Sequence, residues 1–221
     1  MAEPLLNARL HDEIARTLKP VRPLASPGRR VAVLLPLAGA LLIGVPLVFG
    51  VRRDAATVGT LRLWMGSGME VGVALILLAS ALAESIPGRL PAPRRVVVRV
   101  ALGLTFMVLL AFVTFLASPT RVPLSHEAGY LRTCLKWPFA LGLLPLGVAG
   151  LLLRRGVTVR PALAGLVAGL GAGLLVDSSW RLYCEVSDPV HVLPTHGGAI
   201  VALALIGALS GALLRTRPLI R

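Results

Sequence analysis

CLKWPFALGLLPLGVAGLLLRRGVTVRPALAGLVAGLGAGLLVDSSWRLYCEVSDP, residues 134–189, decides the fold. Leu135–Leu153 has one charge, Lys136 in its first turn, and Pro161–Val176 has none. Between them lies RRGVTVRP, with Arg154, Arg155 and Arg160. If both runs cross a bilayer as helices, this hairpin faces one side, and the chain's only two cysteines, Cys134 and Cys184, share the other.

Composition extends that reading to the whole chain of 221 residues. It is 56% hydrophobic and only 15% charged, with a mean hydropathy of +0.81. That is more apolar surface than one soluble core buries. The net charge of +13 would suggest nucleic acid in a soluble protein. Here the basic residues bracket apolar runs, as orientation signals do, and no direct nucleic-acid contact is expected. No cleavable signal is evident, because the first 28 residues are polar and proline-rich.

Four more runs complete the set. Val31–Val51 is framed by Arg29-Arg30 and Arg52-Arg53; its 21 residues reach roughly 31 Å as a helix, with kinks expected at Pro36 and Pro46. Met65–Ile86 is entered through Trp64 and holds Glu70 and Glu84 near opposite interfaces, where snorkelling or pairing with Arg62 or Arg89 is expected. Val96–Ala117 follows PGRLPAPRR, and Gly197–Leu214 ends the series. Gly165, Gly169 and Gly173 recur every four residues in the fifth run, and Gly207 and Gly211 do so in the sixth, giving smooth faces where helices approach closely. The fold class is therefore all-α: an integral membrane bundle of six transmembrane helices over residues 31–217, in contact with the lipid bilayer.

Six spans put both termini on one side. That side holds 16 of the 23 Lys/Arg and the other holds 7, so the positive-inside rule makes both termini cytoplasmic. The loop Asp177–His196 then faces outward. Residues 1–30 form a cytoplasmic tail, within which Leu6, Leu10, Ile14 and Leu18 stand four apart and make an apolar stripe on a short amphipathic helix, Leu5–Leu18. Pro20, Pro23 and Pro27 end it. Such a helix either lies on the headgroups or docks a protein partner.

Cys134 and Cys184 fall on the oxidising side, where two thiols make a disulfide, a metal pair, an oxidation target or two inert interfacial residues. His191, His196, Asp188 and Glu185 lie on the same face and could complete a ligand set, although no tight metal motif exists. The chain has no Gly-rich phosphate loop, no HExxH and no serine nucleophile elbow, so neither an enzyme nor a cofactor is expected. A small transporter or redox membrane protein is the alternative, with Glu70, Glu84 and Asp177 lining a path.

TCLKWP, LRRGVTVRPALAGLVAGLGAGLL, YCEVSDP and GALSGALLRTRP, with fainter PVRPLASP and ALAESIPGR, carry a resemblance. In these stretches the chain resembles the six-span bacterial anti-sigma factors of the negative-regulator-of-sigma-F (NrsF) family. The likeness covers most of the chain, least in the first span and in Thr57–Val71. It implies an inner-membrane inhibitor that sequesters an extracytoplasmic-function sigma factor and frees it on a stress or light signal. Leu6, Leu10, Ile14 and Leu18 would then contact the sigma factor, helped by Arg89, Arg94, Arg95, Arg154 and Arg155. The family's two cysteines, needed there for stress or metal sensing, map onto Cys134 and Cys184. Where the family often has an aromatic pair, this chain reads LPTHGGA.

Overall fold

A computed structural model describes residues 10, 12–16, 24–86, 92–119 and 127–214. Six helices in it are long and apolar enough to cross a membrane: Pro27–Phe49, Thr60–Ala83, Pro93–Ala117, Gly129–Arg154, Pro161–Trp180 and Pro189–Leu213, labelled α1–α6. The protein is an all-α membrane bundle, and no strand occurs among the described residues.

Proline sets many of the helix starts. Pro27, Pro93, Pro161 and Pro189 each occupy the first helical turn, where a missing N–H costs nothing. Pro36 leaves the Ala32 carbonyl without its helical donor, and α1 tightens there into the 3-10 turn Ala32–Leu34. The helix runs on through Pro46 and stops at Gly50, whose φ of 95° suits glycine. Pro194 has the opposite effect in α6, where Leu193–Gly197 widens into a π turn.

At the centre stands α5. Its span is 83% buried, against 22–50% for the others, and it packs against all five of them. Small residues allow this. A Cβ on Gly165 would meet the Gly207 carbonyl, one on Gly169 the Leu203 carbonyl, one on Gly173 the Cα of Ile200, and one on Gly211 the Pro161 carbonyl. The two glycine faces thus meet each other, and α5 and α6 touch backbone to backbone. On another side Gly171 lies against Leu78 and Ala74 of α2. Around this contact α1 and α3 turn their large apolar residues outward, among them Leu47, Val48, Leu102 and Leu116.

Both ends of the bundle are tied by arginine. At the end where α1 begins, Arg30 is only 6% exposed. It donates to Ser85 Oγ at 2.7 Å and to the carbonyls of Leu82 and Leu152, satisfying the last turns of α2 and α4. Beside it Arg160 grips Glu84 with two hydrogen bonds of 2.8 and 2.7 Å. At the far end Arg52 donates to Asp54 at 2.6 and 2.7 Å and to Ser187 Oγ at 2.9 Å, holding the α5–α6 loop. Burial raises the Asp54 carboxyl, and the hydrogen bonds from Arg52 and Ser118 more than offset it, so the group lies below its ordinary value.

The sequence limits need two corrections. The sixth span begins at Pro189 rather than Gly197, and the fourth at Gly129 rather than Leu135. Asp177 belongs to α5 and is 1% exposed, so it is not an outward loop acid. At the end of α5 and the start of α6 the polar residues that suggested a loop, Asp177, His191 and His196, are buried against partners inside the bundle, whereas Tyr130 and Arg132 in the added first turn of α4 stay exposed.

Gly169→Ala should push α5 and α6 apart and destabilise the detergent-solubilised protein by about 1–3 kcal/mol. Gly39→Ala, with nothing within 4 Å of the added methyl, should not. Thermal unfolding of the two variants checks this; equal midpoints would mean that the close contact does not hold the bundle.

Candidate thiol and histidine site

Three elements converge at the end of the bundle opposite Arg30. Cys134 comes from α4, Cys184 from the turn after α5, and His191 and His196 from α6. All four are buried, with exposures of 2–5%. The sulfurs lie 3.5 Å apart as free thiols. His191 Nε2 is 3.8 Å from Cys184 Sγ, and one ligand atom from each of the four residues falls within 4.8 Å of the others.

The π turn is what pairs the histidines. Residues five apart on an α-helix differ by about 140° in direction. The i→i+5 bonding of Leu193–Gly197 widens the turn, so His191 and His196 face the same way with ring centroids 6.1 Å apart. Thr195 Oγ1 donates back to the His191 carbonyl one turn earlier at 2.7 Å.

Beneath the thiols lies a chain of buried ionisable groups. His196 Nδ1 is 2.5 Å from Asp177 Oδ1. Arg181 sits one turn beyond Asp177, with Nη2 3.5 Å from Asp177 Oδ2, and its Nε donates to Glu70 Oε2 of α2 at 3.3 Å. Arg181 is fully buried; burial lowers its pKa, but Glu70 and Asp177 raise it more, so the guanidinium stays charged. Each group of this network has one buried polar atom without a hydrogen-bond partner: His196 Nε2, Glu70 Oε1, Asp177 Oδ2 and Arg181 Nη2. His191 Nδ1 is likewise unpartnered.

Aromatic rings wall off one side. Phe49 meets Trp180 at 5.0 Å and Trp137 at 5.3 Å, and Trp180 meets Tyr183 at 4.8 Å. A cavity of about 530 Å³ reaches both cysteines, with Arg53, Tyr130, Tyr183 and Glu185 in its wall. The Cys184 thiol is held well above its ordinary pKa by its hydrogen bond with Cys134 and, after that, by burial.

The sequence placed Cys134 and Cys184 at one end, and the structure brings their sulfurs into contact. Of the four companions considered, it brings in the two histidines and leaves out the two acids: Glu185 accepts from Tyr130 at 3.5 Å, and Asp188 caps α6 by accepting from Val190 N at 3.0 Å. Glu70 is paired with Arg181 and Glu84 with Arg160, in place of the expected Arg62 or Arg89. Glu70 and Asp177 share one network while Glu84 lies at the other end, so the three carboxylates do not line one path. Sequence reading missed the Glu70–Arg181 pair, whose members are 111 residues apart; its one visible trace was Asp177 and Arg181 spaced i, i+4 at the end of an uncharged helix. In the tail Leu10 and Ile14 are 57% and 46% exposed, Arg94, Arg95, Arg154 and Arg155 are exposed, and Leu6, Leu18 and Arg89 lie outside the described residues.

Residues 14–215 match the family described as negative regulator of sigma F, NrsF. The chain belongs to the NrsF family. Its members are regulators by description, which makes a sigma factor the partner of this NrsF chain. No curated protein and no solved structure matches it.

Removing the arginine at the centre of this network should cost more than removing the network. Arg181→Met leaves Glu70 and Asp177 buried without their cation, a loss of about 3–5 kcal/mol. Arg181→Met combined with Glu70→Gln should recover part of it. Thermal unfolding of single and double variants reads the coupling, and a double variant that is simply the sum of the singles would deny it.

Proposed function

We propose that this NrsF protein is an anti-sigma factor without enzymatic activity that sequesters an extracytoplasmic-function sigma factor at the bacterial inner membrane. Residues 1–30 are the docking tail and residues 31–217 the membrane domain. Both termini are cytoplasmic, in keeping with the 16 to 7 division of Lys/Arg between the two sides. A sigma factor held there reaches neither core polymerase nor promoter DNA. It is released on a stress or light signal, sensed through Cys134 and Cys184.

One observation carries this reading. The buried thiols sit at one end of the bundle and the tail joins the other, and α2 and α5 run between the two. Glu70 of α2 meets Arg181 at the thiol end, while Ser85, just past α2, meets Arg30 where the tail joins α1. A change in the thiol pair therefore alters groups that are packed, through two helices, onto the base of the tail. This is the arrangement a sensor with its output on the opposite face requires.

Leu10 and Ile14, four apart and exposed, are the proposed sigma-factor contacts, together with Leu6 and Leu18. Leu10→Glu or Ile14→Glu would bury an unpaired charge in the docked state, which costs a few kcal/mol, about a hundredfold or more in affinity. Membrane-extracted protein carrying either change should insert normally and lose the sigma factor in a pull-down read by mass. Wild-type retention by both variants would make the stripe a headgroup helix and remove the proposed docking site.

A further inference from the structure

We propose that Cys134, Cys184, His191 and His196 form a four-coordinate site for a borderline-to-soft d10 cation of the Zn²⁺ class, with Asp177 orienting His196 toward it. The site stands on geometry alone. Only its link to sigma-factor release rests on the sensing role proposed above.

The donor set is the one such ions take. Two thiolates and two imidazoles in a closed, buried cage are a structural zinc complement, and hard cations such as Mg²⁺ or Ca²⁺ prefer oxygen. The spacings agree. A tetrahedral ion with bonds of about 2.3 Å to sulfur and 2.0–2.1 Å to nitrogen has a sulfur–sulfur edge of about 3.8 Å and a sulfur–nitrogen edge of about 3.5 Å. The observed Sγ–Sγ separation is 3.5 Å and the Cys184 Sγ–His191 Nε2 separation is 3.8 Å. All four donors lie within 4.8 Å of one another.

Independent support comes from the histidines. Asp177 engages His196 through Nδ1, which leaves Nε2 as that residue's donor atom. This is the carboxylate–histidine pairing that fixes the tautomer and direction of a metal ligand. The same Nε2 is buried and without a hydrogen-bond partner, an arrangement that costs free energy unless something else occupies its lone pair. His191 offers Nε2 to the thiols, and Tyr130 lies edge-on to its ring at 6.3 Å. A π turn in α6 is what places both rings on this face, and such widened turns recur at functional positions. The cavity of about 530 Å³ gives an ion and its displaced protons a route to Cys134 and Cys184. Binding exchanges the two thiol protons for the cation, with no electron transferred.

The pairing also explains why the charged chain continues inward. Asp177 faces His196 on one side and Arg181 on the other, and Arg181 reaches Glu70 of α2. The ion would thereby be tied to two helices that supply none of its ligands.

The test uses the full chain, purified in detergent under reducing conditions, with Co²⁺ as a spectroscopic probe and Zn²⁺ as competitor. One Co²⁺ per chain should bind and give both thiolate-to-metal charge-transfer bands and the intense ligand-field bands of tetrahedral coordination, and Zn²⁺ should displace it. His191→Gln and His196→Gln, which leave the thiols intact, should each weaken binding at least tenfold and shift the ligand-field bands. Cys184→Ser should roughly halve the charge-transfer intensity per bound Co²⁺ and Cys134→Ser with Cys184→Ser should abolish it, and Asp177→Asn should weaken binding about 10–100-fold with the band pattern kept. Thermal unfolding without metal identifies any variant that fails to fold. A reduced protein with two free thiols and no tetrahedral Co²⁺ spectrum would overturn the proposal. So would binding unchanged in both glutamine variants, which would mark a thiol-only or adventitious ion. Sigma-factor retention is scored separately, so loss of the metal site leaves the anti-sigma reading standing.

Discussion

A helix at the centre of a six-helix bundle must admit neighbours on every side, and in lipid it has no hydrophobic effect between helices to drive their packing. Pro161–Trp180 meets that demand with backbone contact. Its Gly165, Gly169 and Gly173 face lies against Gly207, Leu203, Ala204 and Ile200 of α6, while Gly171 lies against α2. Contacts this close gain dispersion energy from the main chain itself, and they leave no room for a methyl group. The rest of the architecture follows from this geometry: α1 and α3 are relegated to the lipid side, and the two ends of α5 become the points where the other helices are tied.

Those ties are ionic because the ends of the central helix are where charge is tolerated. Arg160 precedes α5 and holds Glu84; Arg181 follows it and holds Glu70 and Asp177. Isolated, any of these groups would be expensive inside a bilayer. Paired, they fix the axial position of α5 against α2 at both ends. Arg30 and Arg52 add a second layer by satisfying helix ends and loop groups that hydrocarbon would leave unpaired. The thiol and histidine residues sit directly on the clamp made by Arg181, Glu70 and Asp177, through the Asp177–His196 contact.

Much of this was legible in the sequence, and the boundary of legibility is physical. Six apolar runs, the alternation of basic turns and the every-fourth glycines of α5 and α6 are local patterns, and local patterns survive without coordinates. Counting spans was enough to put Cys134 and Cys184 at one end. The start of α6 was not legible, because Asp188, His191, Thr195 and His196 read as a polar loop. The two histidines are buried, and their partners lie in other elements, Cys184 in the preceding loop and Asp177 in α5. Glu70 misled for the same reason: its nearest cations in sequence are not its partner, and Arg181 looked like an ordinary loop charge. Arg30 counted only as an orientation signal until its guanidinium was seen capping α2 and α4. The tail contributed a four-residue spacing, two members of which, Leu6 and Leu18, lie outside the described residues.

In the proposed function α2 and α5 link the thiol site to the end of the bundle where Arg30 sits. The claim that the state of the thiol site governs the grip of the tail can be measured in reconstituted vesicles. Wild-type protein is loaded with its sigma factor, and the fraction that sediments with the vesicles is compared before and after Cys134 and Cys184 are oxidised or alkylated. The account predicts that modification changes retention severalfold in the wild type and leaves it unchanged when both cysteines are serine. Equal retention in all states, with the thiols verifiably modified, would contradict it.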